Sequence, residues 1–402
     1  MRTKTWQQFH AQRCPRYRMA TATPPQRVSP VIPTAAETAQ HPAFPTAIWN
    51  LEADRKGVVP VAEGRGGPLK ISWEIHGDGP VKVIFIMGLG GLKTTWQRQT
   101  LHFGHERREN YSVLVMDNRG MGDSDKPLMR YSTSEMARDV AEVLAHVGWL
   151  PSYPPTLTPP PARNLHIVGI SLGGMIAQEL AFLVAEHVSS LSLCCTAAAI
   201  ENTTTFAENM ANRAQLLVPK SLDRSIADGA RNMFGEAWLA EPDNAHVPDP
   251  ATAPKVLPPT TTITAAAETA ASAPGPPAKY LKFDSNAERF VAQELTKRQD
   301  RARFGRKGFL LQLIAAGWHH KSADQLREIG DRVGRERILV MHGTEDRMIT
   351  VPHGRKLIAQ LEPGTALLVE GMGHAPIVER WEWYNGLLED HFAVGEKLDG
   401  RA

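Results

Sequence analysis

The feature that most constrains this chain is "NLHIVGISLGGMIAQELAF", which begins at Asn164 and changes its hydrophobic period halfway along. Leu165 to Val168 reads as a short apolar strand, and Met175 to Phe182 reads as a helix. A backbone that turns from strand to helix within three residues crowds itself. Gly169, Gly173 and Gly174 remove the side chains that would collide there. Ser171 sits at the switch, in the order Gly169-Ile170-Ser171-Leu172-Gly173. A serine on such a turn projects its hydroxyl clear of the sheet, while the next amide points at an incoming oxyanion. Five residues also suit a small side chain in a tight turn. The other parts of an acyl-transfer site must therefore appear in an order the chemistry can use.

The flanking sequence supports a layered fold. "LKISWEIHGDGPVKVIFIMG" from Leu69 reads as two alternating runs joined at His76-Gly77-Asp78-Gly79-Pro80, a hairpin that feeds a buried strand. "YSVLVM" at Tyr111 is a further strand. "YSTSEMARDVAEVLAHVGW" is helical, with Ser132 or Ser134 placed to cap it and Ala137, Val140, Ala141, Leu144 and Val147 forming an apolar stripe. Later strands centre on Leu191 to Cys195, on "RILVMHG" at Arg337 and on "TALLVEGMGH" at Thr365. Strands alternating with helices predict an α/β fold with a mostly parallel sheet covered on both faces. Two proline-rich stretches, "PSYPPTLTPPPAR" from Pro151 and residues 246–279, read as surface insertions without a packed core.

Composition narrows the partners. A formal net charge of +2 gives no basic face for nucleic acid or an anionic membrane, and no run of 18 apolar residues suggests a transmembrane helix. Three cysteines cannot build a disulfide framework; Cys194 and Cys195 lie in an apolar strand, as inert core thiols would. The first 36 residues carry Arg2, Lys4, Arg13, Arg16, Arg18 and Arg27 with no acidic residue. That pattern fits a mitochondrial transit segment, and equally a basic disordered tail on a cytoplasmic protein.

A serine nucleophile needs a general base, and the base needs an acid to fix its tautomer. In "VEGMGHAPIVERWEWYN", His374 follows an apolar strand between Gly373 and Ala375. In "ILVMHGTEDRMITVP", Asp346 follows another strand after Gly343 and Thr344, with Glu345 as its neighbouring competitor. The order Ser171, Asp346, His374 suits a nucleophile on a strand-to-helix elbow. His342, His319, His320 and His353 are rival bases without that late strand-end setting. Backbone donors for a developing oxyanion are expected from Leu172, directly after the serine, and from Leu89 in "FIMGLGGLKTTW". That glycine cluster lacks the phosphate-cradling pattern, and Lys93 stands in the wrong place for one. No cofactor and no metal site is expected.

With "MGLGG", "DNRGMGDSDKP", "GISLGG", "HGTED" and "GMGHAP" in this order, the chain resembles the α/β-hydrolase superfamily, of the esterase/lipase-like kind. The resemblance runs from about Leu69 to Phe392, outside the two insertions. It implies a core over residues 67–196 and 335–395, and a helical cap over 197–334 interrupted by a disordered 246–279. Residues 1–66 would be an extension and 396–402 a tail. It implies structural roles for Asp117 and Arg119. Met87 departs from the histidine that many relatives carry before the oxyanion glycine. The expected activity is hydrolysis of a small-molecule carboxylic ester by Ser171, His374 and Asp346. An acyltransferase or thioesterase on the same residues, or a binding protein of the same fold, are the alternatives.

Overall fold

Strands β3 (Val81–Ile86), β4 (Tyr111–Met116), β5 (Leu165–Ile170), β6 (Val188–Cys194), β7 (Ile338–Gly343) and β8 (Thr365–Val369) lie parallel. β1 (Arg55–Val61) and β2 (Leu69–His76) complete one eight-stranded sheet in the order β1-β2-β4-β3-β5-β6-β7-β8, with β2 antiparallel to both neighbours. The computed structural model describes residues 30–151, 153, 162–201, 220–259 and 279–401.

The parallel strands are apolar on both faces because both are covered. On one side Ile84, Ile86 and Ile167 meet Met136, Val140 and Leu144 of the helix Thr133–His146 and Leu180 of the helix Leu172–Val184. On the other, Val83, Phe85 and Val168 meet Trp96, Phe103, and Leu388 and Phe392 of the helix Trp381–Leu398. Each fully buried Leu, Ile, Val or Phe contributes about 1.5–3 kcal/mol. Of the two serines offered as caps for Thr133–His146, Ser132 accepts from the Glu135 amide.

Several expectations change. β2 and β3 do not form a hairpin, because β4 inserts between them. The turn at His76–Pro80 therefore carries the chain across a strand instead of reversing it. The sheet also begins earlier than residue 67, since Arg55–Val61 pairs along the whole of β2. Residues further upstream pack too: Ala43 and Ala47 join Phe283 and Ala292, and Trp49 joins Leu101, Val256 and Tyr280.

That last cluster corrects the disorder expected from residue 246. Val256 is buried, and the Leu257 amide donates to Asn50 O, so residues 246–259 are a packed segment. Residues 260–278 lie outside the described residues, as do most of the earlier proline-rich stretch and residues 1–29. Within the interval expected to form the cap, the described helices include Leu222–Met233, Glu236–Ala240, Asn286–Gln299 and Arg306–Gly317, and residues 202–219 lie outside the described residues. Ala323–Val333, expected in the cap, packs into the core through Leu326, Ile329 and Val333. The expected tail from residue 396 begins inside Trp381–Leu398. Among the described residues no helix is long and apolar enough to cross a membrane.

The segment "DNRGMGDSDKP" is tied down by buried charge. Arg119 Nε and Nη2 donate to Asp139 at 2.5 and 2.6 Å, and Lys93 Nζ reaches Asp117 at 3.0 Å and Asp123 at 2.9 Å. Asp139→Ala would strand the fully buried Arg119 guanidinium, and should cost about 3–5 kcal/mol in chemical denaturation. An unchanged unfolding midpoint would show that water takes over from the carboxylate.

Candidate active site

Ser171 occupies a left-handed turn, at φ 57° and ψ −125°, between β5 and the helix Leu172–Val184. Such backbone costs a non-glycine residue on the order of 1–3 kcal/mol, and its surroundings hold it there. The Ser171 amide donates to Cys194 O at 3.0 Å, while its carbonyl accepts from Gly174 N at 2.9 Å and Thr196 Oγ1 at 2.7 Å. A Cβ added at Gly173 would stand 2.0 Å from Ile86 O, and one at Gly169 would stand 2.4 Å from Gly173 O. Backbone meets backbone on both sides of the elbow, so neither glycine can carry a side chain.

The end of β3 approaches the serine equally closely. A Cβ on Gly88 would lie 2.9 Å from Ser171 Cβ and 3.5 Å from Oγ. In this loop the Gly91 amide donates to Gly88 O, and the Gly90 amide donates to Gln312 Oε1 at 3.0 Å. The amides of Leu89 and Leu172 have no acceptor among the described residues. Met87 leaves this backbone usable, its carbonyl fixed by Asn118 Nδ2 at 2.9 Å. Gln312, on the helix Arg306–Gly317 of the expected cap, also donates to Arg119 O at 2.9 Å. It thus couples the cap to the loop, a contact that nothing local in the sequence announces.

Register carries the other candidates to the same edge. Ile170 pairs with Cys194, Cys194 with Met341, and Gly343 with Val369, so the loops after β5, β6, β7 and β8 leave together. Asp346 Oδ2 accepts from His374 Nδ1 at 2.7 Å, and Oδ1 accepts the Met348 and Ile349 amides, each at 2.9 Å. His342 Nε2 stands 3.3 Å from Oδ2. Burial alone would raise the Asp346 carboxyl. The charge of His374 and hydrogen bonds from His342 and His374 outweigh it and hold the carboxyl well below the usual carboxylate range. This lowered value stabilises the fold above the ordinary carboxylate pKa, and the contribution is lost as pH falls below it.

With Nδ1 committed, His374 Nε2 is the ring atom left for a proton from outside. It has no partner among the described residues, and neither does Ser171 Oγ; the two are not hydrogen-bonded to each other. Bonds of this kind are commonly long until substrate is seated.

The other rivals are placed elsewhere. Glu345 turns toward Gly235 instead of His374, a Cβ on Gly235 standing 3.1 Å from its Oε2. His319 bonds Thr133 Oγ1 at 2.8 Å, and burial pushes it down to about 3. His353 bonds Thr350 and Glu201, and His320 forms a bridge with Ala199. Cys195 lies beside the candidates, with its sulfur and the ligand atoms of Asp346 and His374 within 4.8 Å of one another. A metal there would have to break the Asp346–His374 hydrogen bond. Burial also drives the Cys195 thiol well above its ordinary value, so it stays protonated.

A model of the alpha/beta hydrolase family matches residues 75–387. The chain is 28% identical over 159 residues to 3-oxoadipate enol-lactonase 2 of Acinetobacter baylyi, covering 40% of this chain and 52% of that one. It is 28% identical over 142 residues to the dihydrolipoyllysine-residue acetyltransferase component of the acetoin cleaving system of Pseudomonas putida, covering 35% and 34%. The chain thus spans between a third and about half the length of these curated relatives. Among solved structures, a thermophilic esterase from Thermogutta terrifontis superposes with a TM-score of 0.57 at 16% identity, over 85% of this chain and 99% of that one. The match runs from β2 into the last helix, through every loop described above, and the chain belongs to the alpha/beta hydrolase family.

Proposed function

We propose that the protein hydrolyses a carboxylic ester through an acyl-enzyme on Ser171. One observation carries the reading: the buried Asp346–His374 hydrogen bond, 2.7 Å long, on the strand edge from which the Ser171 elbow projects. His374 Nε2 takes the hydroxyl proton as Ser171 Oγ bonds to the ester carbonyl carbon. Asp346 holds the ring in the tautomer that frees Nε2 and stabilises the imidazolium. The oxyanion forms between the Leu89 and Leu172 amides, which need no reorganisation to receive it. Collapse expels the alcohol, which takes the proton from His374. Water, deprotonated by the same nitrogen, then attacks the acyl group and releases the acid and Ser171. The substrate is a small acyl ester held between the strand edge and the cap.

A second reading, in which an alcohol or thiol replaces water in the last step, draws support from the acetyltransferase component among the relatives. Product partition with and without added alcohol separates the two.

On a panel of acyl esters of graded chain length, Ser171→Ala should lose on the order of a millionfold in kcat while its melting curve is unchanged. Activity within tenfold of the parent would remove Ser171 from the mechanism. Asp346→Asn should lose on the order of 10⁴ in kcat, because an amide favours the wrong ring tautomer. Glu345→Gln should change kcat by no more than a few-fold, and the reverse ranking would move the acid to Glu345.

A further inference from the structure

We propose that Glu379 is a positioning residue, whose ionised carboxylate clamps the loop bearing His374 where it meets the cap. The inference rests on the ester-hydrolase reading for its kinetic consequence, though not for its geometry. Glu379 ends the short helix Pro376–Glu379 and is 4% exposed. Its Oε2 accepts the Gly373 amide, next to His374, at 2.8 Å. The Gly235 backbone at the cap lies beside the carboxylate, where an added Cβ would stand 3.5 Å from Oε1. A backbone donor of the histidine loop and the backbone of the cap thus meet at a single buried carboxylate.

The clamp closes a junction that is otherwise made by backbone. His374 N donates to Met233 O at 2.6 Å, at the end of the cap helix Leu222–Met233, and Glu345 N donates to Met372 O at 2.9 Å. A Cβ on Gly373 would meet Met233 O at 2.3 Å and Glu379 Oε2 at 3.0 Å, so cap and loop touch with no side chain between them. Nothing else at the junction accepts the Gly373 amide among the described residues. Losing the carboxylate would free the segment that aims the His374 ring at Ser171.

The charged groups facing Glu379 are Glu345 on the acid loop and Arg380 on its own side; the cap approaches it with the Gly235 backbone. Burial is the largest influence and pushes Glu379 up to about 7; Glu345 pushes the same way, against the Gly373 and Gly235 amides and Arg380. Protonation takes charge from the carboxylate that the Gly373 amide bonds, which weakens the clamp near neutral pH. The linkage has the opposite sign for the whole fold. A raised carboxyl contributes stability that is full below its unfolded value and is lost as pH rises through about 7. Ionised Glu379 therefore orders the loop at a cost to global stability, which separates positioning from simple structural support.

The test compares wild type with Glu379→Gln by ester kinetics, melting and hydrogen exchange. At about pH 8, kcat/KM should fall roughly tenfold or more, the range that a misplaced catalytic group costs, with no drop in melting temperature. Exchange of the peptide spanning 371–375 should rise. Near pH 7 the acid limb of log kcat/KM should be steeper in wild type than in the variant, because protonating Glu379 adds its own loss there. Unchanged exchange and unchanged slope would overturn the proposal. So would a loss of activity that merely follows a lower melting temperature. Should the variant fail to fold, the wild type decides: exchange at 371–375 independent of protonation near neutrality, after correction for intrinsic rates, overturns it. A wild type without ester turnover would count against the Ser171 mechanism, and the exchange measurement would still judge Glu379.

Discussion

Backbone contact at the Ser171 elbow is the constraint on which the rest of the structure depends. Gly173 meets Ile86 O, Gly169 meets Gly173 O and Gly88 meets Ser171 itself, so β3, β5 and the following helix converge without side chains between them. That convergence forces Ser171 into left-handed backbone and brings the β3 loop beside its hydroxyl. Parallel register then carries the loops after β6, β7 and β8 to the same edge. The site follows from the topology once the elbow closes.

Charge is handled in the same economical way. Asp346 is buried, yet it stays ionised because two amides and two histidines supply hydrogen bonds and positive charge around it. His342 is the unexpected member: its Nε2 stands 3.3 Å from the oxygen that His374 bonds, and its bond to Ile349 O at 2.6 Å keeps the acid loop folded over Asp346. On the far side, the buried Arg119–Asp139 and Lys93–Asp117 pairs hold the loop that Gln312 then ties to Gly90. The two halves of the site are therefore anchored separately, one to the helix Arg306–Gly317 through Gln312 and the other to the helix Leu222–Met233 through Met233.

Much of this was legible in the sequence, where period and chemistry coincide. The switch at Ser171 from strand to helix, the glycines around it, and an aspartate and a histidine just past apolar strands are all local signals. What was not legible depends on distant partners. β1 reads poorly because it contains Gly57 and Pro60, yet it lies at the edge of the sheet, where a proline need donate no ladder bond. The supposed hairpin failed because adjacency in sequence cannot reveal that β4 lies between β2 and β3. Residues 246–259 look too poor in large apolar groups to pack, but Val256 finds Trp49, Leu101 and Tyr280, all far away in the chain. Gln312 and Glu379 carry no motif, and become visible only when the amides they accept are known.

The most direct test of the nucleophile is chemical. Folded protein treated with a fluorophosphonate and then mapped by peptide mass spectrometry should carry one adduct per chain, on Ser171, with the neighbouring Cys194 and Cys195 unmodified. An adduct on another residue, or none on protein shown to be folded, would contradict the account.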